Sequence, residues 1–129
     1  MKYVLDTHTL VWHLTNDSRL GAQACAILDD ENSQLIVPVI VLAEAKFIAD
    51  RKRVPLAFEE ILRAVVSDPR CTVLPLDIFI VASLPSNLDI HDGLIVATAL
   101  YCREFFSDGV AILTKDQAIS HSGLAPTKW

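Results

Sequence analysis

Glycine is scarce and dispersed in this chain. Its four glycines, at positions 21, 93, 109 and 123, form no phosphate-cradling loop. Cysteine is equally sparse. Cys25, Cys71 and Cys102 are odd in number and lack metal-ligand spacing, so they read as buried or incidental thiols of a reducing cytoplasm. His8, His13, His91 and His121 show no paired metal spacing. Ser18, Ser83 and Ser120 lie in no nucleophile elbow. No uncharged apolar run is long enough to span a membrane, and Asp6 ends the first apolar run before it can form a signal-peptide core. A cytoplasmic protein with no membrane association is therefore expected.

Positive charge is also in deficit. Eleven Lys and Arg against sixteen Asp and Glu leave a net charge of −5, which argues against a general nucleic-acid coat. It leaves room for an enzyme acting on nucleic acid, because a metal ion held by acids would lower the local charge. One basic cluster stands out: Lys46, Arg51, Lys52 and Arg53. It can receive a phosphate backbone or serve as a solvated helix end whose cations complement the helix dipole.

What is present is a globular composition, 52% hydrophobic and 21% charged, with no repeat and no linker. Residues 1–129 are expected to form one domain. Short apolar runs alternate with helical patterns. Strands are expected over 2–6, 34–38, 71–74 and 110–114, with a further edge strand in the tail 126–129. Helices are expected over 8–15, 21–30, 39–52, 55–67 (opened by Pro55), 77–83, 91–106 and 116–121. Continuous apolar strands alternating with helices indicate a parallel sheet covered on both faces, whose ligands bind beyond the carboxyl ends of the strands.

Four acids occupy notable places in this pattern. Asp6 closes the run Tyr3-Val4-Leu5, Asp92 precedes Leu94-Ile95-Val96-Ala97, and Asp116 follows Val110-Ala111-Ile112-Leu113-Thr114. Each can be a helix cap or a first-turn acid. Glu44 differs, because Ile40, Val41, Phe47 and Ile48 surround it at helical spacing and suggest an apolar face where an unpaired carboxylate is costly. Lys46 is expected to point elsewhere on that helix. If the fold gathers the four acids, they form an all-oxygen pocket suited to a hard divalent cation such as Mg²⁺ or Mn²⁺. His8 stands close enough to Asp6 to touch a substrate. Trp12, Leu14 and the stripe Ile95, Ala99 and Cys102 are expected in the core.

These segments together resemble a known family. Tyr3-Val4-Leu5-Asp6-Thr7-His8-Thr9-Leu10-Val11-Trp12, Val41-Leu42-Ala43-Glu44-Ala45-Lys46, Ile90-His91-Asp92-Gly93-Leu94-Ile95-Val96-Ala97-Thr98-Ala99 and Leu113-Thr114-Lys115-Asp116 are similar, in order and rough spacing, to the four motifs of PIN domains. Within that family the chain looks like a VapC-type toxin of a toxin–antitoxin pair. Gly93 departs from the pattern, since many relatives carry a basic residue after the third acid. The resemblance implies a three-layer α/β/α sandwich with a central parallel sheet, and Mg²⁺- or Mn²⁺-dependent cleavage of RNA. It implies Asp6, Glu44, Asp92 and Asp116 as the metal-site acids, supported by Thr114. It further implies a homodimer and a cognate antitoxin. Lys46, Arg51 and Arg53 are the candidate RNA contacts. The main alternative is a PIN-like module that has lost catalysis and only binds RNA or a protein.

Overall fold

The computed structural model describes residues 1–129. Its strands are β1 (Lys2–Leu5), β2 (Gln34–Pro38), β3 (Cys71–Leu74), β4 (Val110–Leu113) and β5 (Thr127–Lys128). They form one sheet in the order β3-β2-β1-β4-β5, and every neighbouring pair is parallel. β1 lies at the centre, with Val4 paired to Ile36 on one side and Ile112 on the other. The inner strands are apolar along their length because both faces are covered: Val4, Leu5, Leu35, Ile36, Val37 and all of β4 are buried. The edge strands β3 and β5 are short and only half-buried, which limits the unpaired backbone they present.

Seven helices connect the strands: α1 (Thr7–Leu14), α2 (Ala22–Asp29), α3 (Val39–Asp50), α4 (Phe58–Ser67), α5 (Ile78–Ala82), α6 (Ile90–Phe105) and α7 (Gln117–Ser122). From β1 the chain steps outward through β2 to β3, then jumps back across β1 to β4 and on to β5. Right-handed crossovers put the helices of these two directions on opposite faces. The packing agrees, since α1 to α4 contact one another while α5 and α7 both pack on α6. The result is the expected three-layer α/β/α sandwich.

The expected elements all occur, with boundary changes that have local causes. α4 starts at Phe58 rather than at Pro55. Residues 51–56 form turns in which Lys52 has a φ of +54°. Val54 and Leu56 pack against the core from that turn, so the chain reaches the helix in extended form. β1 and β4 each stop one residue early, at Leu5 and Leu113, although the Asp6 and Thr114 amides still donate to Leu113 and Lys128 carbonyls of the neighbouring strands. Ile95, Ala99 and Cys102 are buried as expected, and all three cysteines are free thiols. Burial pushes the Cys71 and Cys102 thiols up to about 11. No helix is long and apolar enough to cross a membrane.

Candidate active site

The strand order reverses direction between β1 and β4, and this opens a crevice at their carboxyl ends. Asp6 follows β1 directly and caps α1, its Oδ1 accepting from the Thr9 amide at 2.8 Å. Asp116, just beyond β4, caps α7 by accepting from the Ile119 amide at 3.0 Å. Both acids therefore fill the capping role that local sequence allows, and both also face the crevice. The buried Thr114 hydroxyl joins them: it donates to Asp6 Oδ2 and accepts from the Asp116 amide at 2.9 Å.

The other two acids come from helices on opposite layers. Glu44 on α3 and Asp92 in the first turn of α6 line the same cavity as Asp6 and Asp116, a space of about 590 Å³. Glu44 is held from two sides. Thr7 Oγ1 donates to its Oε1 at 2.9 Å, and His91 Nδ1 lies 3.5 Å from its Oε2. The expectation that Glu44 stands on an apolar face is thus corrected. Its helical neighbours Ile40 and Ile48 are only half-buried, and Phe47 is 50% exposed. The buried face of α3 is instead Val41, Leu42, Ala45 and Ala49.

The electrostatic signature sits on Asp92. Its carboxyl is raised above the ordinary Asp value, first by partial burial and then by the negative charge of Asp116, Asp89, Glu44 and Asp6. The acids thus act on one another across the cavity. No three of them are drawn into a closed metal-ligand cluster. Mutual repulsion keeps like charges apart, and a hard cation such as Mg²⁺ retains several waters and needs only one or two direct carboxylates. The donor set fits such a cation: all oxygen, excess negative charge, and one carboxylate whose proton affinity is raised by burial and then by its neighbours. Asp6 already accepts from Thr9 and Thr114, yet a carboxylate has further lone pairs to offer.

The basic candidates separate. Lys46 is paired with Asp50 at 2.7 Å and sits over the Phe58 ring, away from the acids. Arg53 lines a second cavity that adjoins the acidic one, and Arg51 lies over the Phe47 ring, 3.3 Å from its centroid. Gly93 is buried, and a Cβ there would approach Leu84 Cδ1 to 2.9 Å, so any side chain at this position requires the Leu84 side chain to shift. His8 lines the acidic cavity, as expected. Trp12 is buried in the core and also reaches the cavity wall.

Lys115, Gln117 and Thr7 line the cavity too and were not singled out by sequence. Lys115 has a legible signal, since it lies between Thr114 and Asp116 at a strand end. Its ammonium sits 4.9 Å from the Trp12 ring centroid. Thr7 meets Glu44 across 37 residues, a pairing no local pattern encodes. A separate, mainly apolar cavity of about 450 Å³ opens at the other ends of the strands. Its cations are already engaged, Lys2 by Gln34 and Arg70 by Asp68.

A family model described as PIN domain matches residues 3–122. No curated protein matches the chain. Among solved structures, the chain is similar to the PIN domain of RRP44 from T. brucei, with a TM-score of 0.62 and 10% identity over 98% of this chain and 72% of that one. At that identity the likeness carries the fold alone.

Proposed function

The chain belongs to the PIN domain family, and from that premise we propose that it is a Mg²⁺- or Mn²⁺-dependent endoribonuclease, the toxin of a toxin–antitoxin pair. The observation that carries this reading is the convergence of Asp6, Glu44, Asp92 and Asp116 on one cavity at the strand-order reversal, with Asp92 raised first by burial and then by the other acids. These four would hold the ion. When bound, it supplies Lewis-acid chemistry to a phosphate oxygen and an attacking water. Thr114 fixes Asp6 and the Asp116 loop, so the two strand-end acids keep their orientation. Thr7 and His91 do the same for Glu44. Lys115 places positive charge at the wall of an otherwise anionic cavity, where an incoming phosphate needs it.

The partners follow from the same reading. RNA is the substrate, with Arg51 and Arg53 as its guiding cations. Lys46 keeps a weaker claim because Asp50 neutralises it. A cognate antitoxin would restrain the enzyme. A homodimer is supported by an apolar surface, since Phe79 of α5, 66% exposed, lies beside the exposed Phe105 of α6, and Ile78 of α5 is 76% exposed. The expected location is the cytoplasm. A second reading, a catalytically silent PIN-like module that binds RNA or protein, draws on the open spacing of the acids, which form no closed ligand cluster.

The deciding experiment incubates the pure protein with total cellular RNA and Mn²⁺ and maps the cut ends. Wild type is expected to cleave at discrete sites, and Asp6→Asn and Asp92→Asn to lose cleavage while remaining folded. Wild-type activity in either variant, with contaminating nuclease excluded, would sink the assignment. Tight RNA binding without cleavage by wild type would favour the silent module.

A further inference from the structure

α3 carries two apolar faces, one buried in the core and a second that is only partly covered, with Ile40 alone of its members packed against the core. Val41, Leu42, Ala45 and Ala49 point into the protein. Ile40, Ala43, Phe47 and Ile48 form a second stripe at helical spacing that lines a separate cavity of about 480 Å³, with His8, Glu44, Arg53 and His91 as its polar lining. That volume lies in the range of roughly 300–1,000 Å³ usual for small-ligand pockets. It adjoins the acidic cavity, because His8, Glu44 and Ile48 line both.

We infer that this cavity receives an unpaired nucleobase next to the scissile phosphate, and thereby sets which nucleotide flanks the cut. The inference rests on the endoribonuclease reading above. Three observations carry it. First, Phe47 is half exposed with the Arg51 guanidinium over its ring, the aromatic and cationic pairing on which bases stack. Second, the polar groups at the edge are suited to a base and its phosphates: His8 and His91 can donate or accept, Glu44 accepts, and Arg53 is cationic. Third, the two cavities adjoin across His8, Glu44 and Ile48, so a nucleoside attached to a phosphate at the acids has the Phe47 cavity as its neighbour. A peptide segment would also bury apolar atoms here. The single half-exposed aromatic, flanked by cations and adjoining the acidic cavity, matches a flat base better than an extended chain.

The test has three arms, run on wild type, Phe47→Ala and Phe47→Tyr, with folding checked by thermal melting. In the first, saturation-transfer NMR in Mg²⁺ probes the four nucleoside 5′-monophosphates and ribose 5-phosphate. Base protons are expected to receive saturation from wild type, ribose 5-phosphate to show none, and Phe47→Ala to bind about tenfold more weakly. Phe47→Tyr is expected to restore binding. In the second, cut sites are mapped on a random single-stranded RNA pool with Mn²⁺. Phe47→Ala should flatten the base preference beside the cut while cleavage persists. In the third, light scattering follows the oligomeric state.

Unchanged base preference and unchanged monophosphate binding in Phe47→Ala, alongside Asp92-dependent cleavage, overturn this inference and leave the nuclease reading intact. Monophosphate binding that weakens in Phe47→Ala, with no RNA cleavage by wild type, leaves only a base-binding cavity and overturns both the nuclease reading and the cut-flanking role inferred here. A change of oligomeric state in Phe47→Ala with RNA behaviour untouched assigns the face to a protein interface and overturns the inference.

Discussion

Asp92 is the residue whose behaviour ties the site to measurable stability. Its folded carboxyl holds its proton more tightly than an unfolded one, because of partial burial and the charge of Asp116, Asp89, Glu44 and Asp6. A raised acid withdraws stability as pH rises from the unfolded value, about 3.9, through the folded one, and the loss persists above that. In EDTA, wild type should therefore lose melting temperature relative to Asp92→Asn on going from about pH 4 toward neutrality. At pH 7 the variant should melt at the same temperature or higher. The difference will be modest, because Asp92 is only half-buried and solvent screens its neighbours. Saturating Mn²⁺ should raise the wild-type melting point by mass action, with about 2.7 kcal/mol available at a hundredfold excess over Kd, and the variant should gain much less. Calorimetry on both proteins decides it. If Asp92→Asn is markedly less stable in EDTA yet responds equally to Mn²⁺, the acid is only a first-turn helix residue.

At the scale of the element, α3 is the part of the fold with most to explain. Its carboxyl end and the following turn carry Lys46, Arg51, Lys52 and Arg53, but their surroundings divide them. Lys46 is already satisfied by Asp50, while Arg53 stands at the cavity next to the acids and Arg51 covers Phe47. Replacing Arg51 and Arg53 by Glu should weaken RNA binding and flatten its dependence on salt, since fewer counterions are displaced. Lys46→Ala should leave both affinity and slope close to wild type. Fluorescence anisotropy with a labelled RNA across a salt series measures this. Equal losses from Lys46→Ala and the double Arg variant would mean a diffuse field rather than a track beside the cavity.

For the whole molecule, the unpartnered apolar surface is the feature that points outward. Ile78, Phe79 and Val81 of α5 and Phe105 of α6 are all exposed, and Tyr101 packs against Phe105 with ring centroids 4.9 Å apart. α5 is short and starts sharply because Asp77 accepts from the amides of Phe79 and Ile80 at 2.9 and 3.0 Å. This turn buries Ile80 and leaves its neighbours in solvent. A second copy covering the patch is the expected state. Phe79→Glu should convert a dimer into a monomer without a loss of melting temperature beyond the dimer's own concentration-dependent share. Sedimentation of both proteins over a concentration series tests it. A wild type that stays monomeric at every concentration would remove the homodimer.

Local pattern was enough for much of this protein. Buried parallel strands must be apolar on both faces, so β1, β2 and β4 were legible as continuous runs. Asp6 and Asp116 were legible as helix caps because capping depends on residues three positions apart. Asp92 was legible as a first-turn acid. What those acids have in common was not contained in any window of the chain. Asp6 and Thr114 are 108 residues apart and share a hydrogen bond, because β4 returns to lie beside β1. The surroundings of Glu44 were misjudged for the same reason. Periodicity marks a stripe as apolar, but only the packing of α3 against its neighbours decided that Val41 and Ala45 face inward while Phe47 faces solvent. Lys46 pairs with Asp50 four residues on in the same helix, a local contact, whereas only the tertiary fold sets Arg53 at the cavity beside the acids. Period and capping are properties of a few adjacent residues, so sequence alone determined the elements. Proximity between elements follows from strand order and crossover handedness, so only the tertiary structure decided the site.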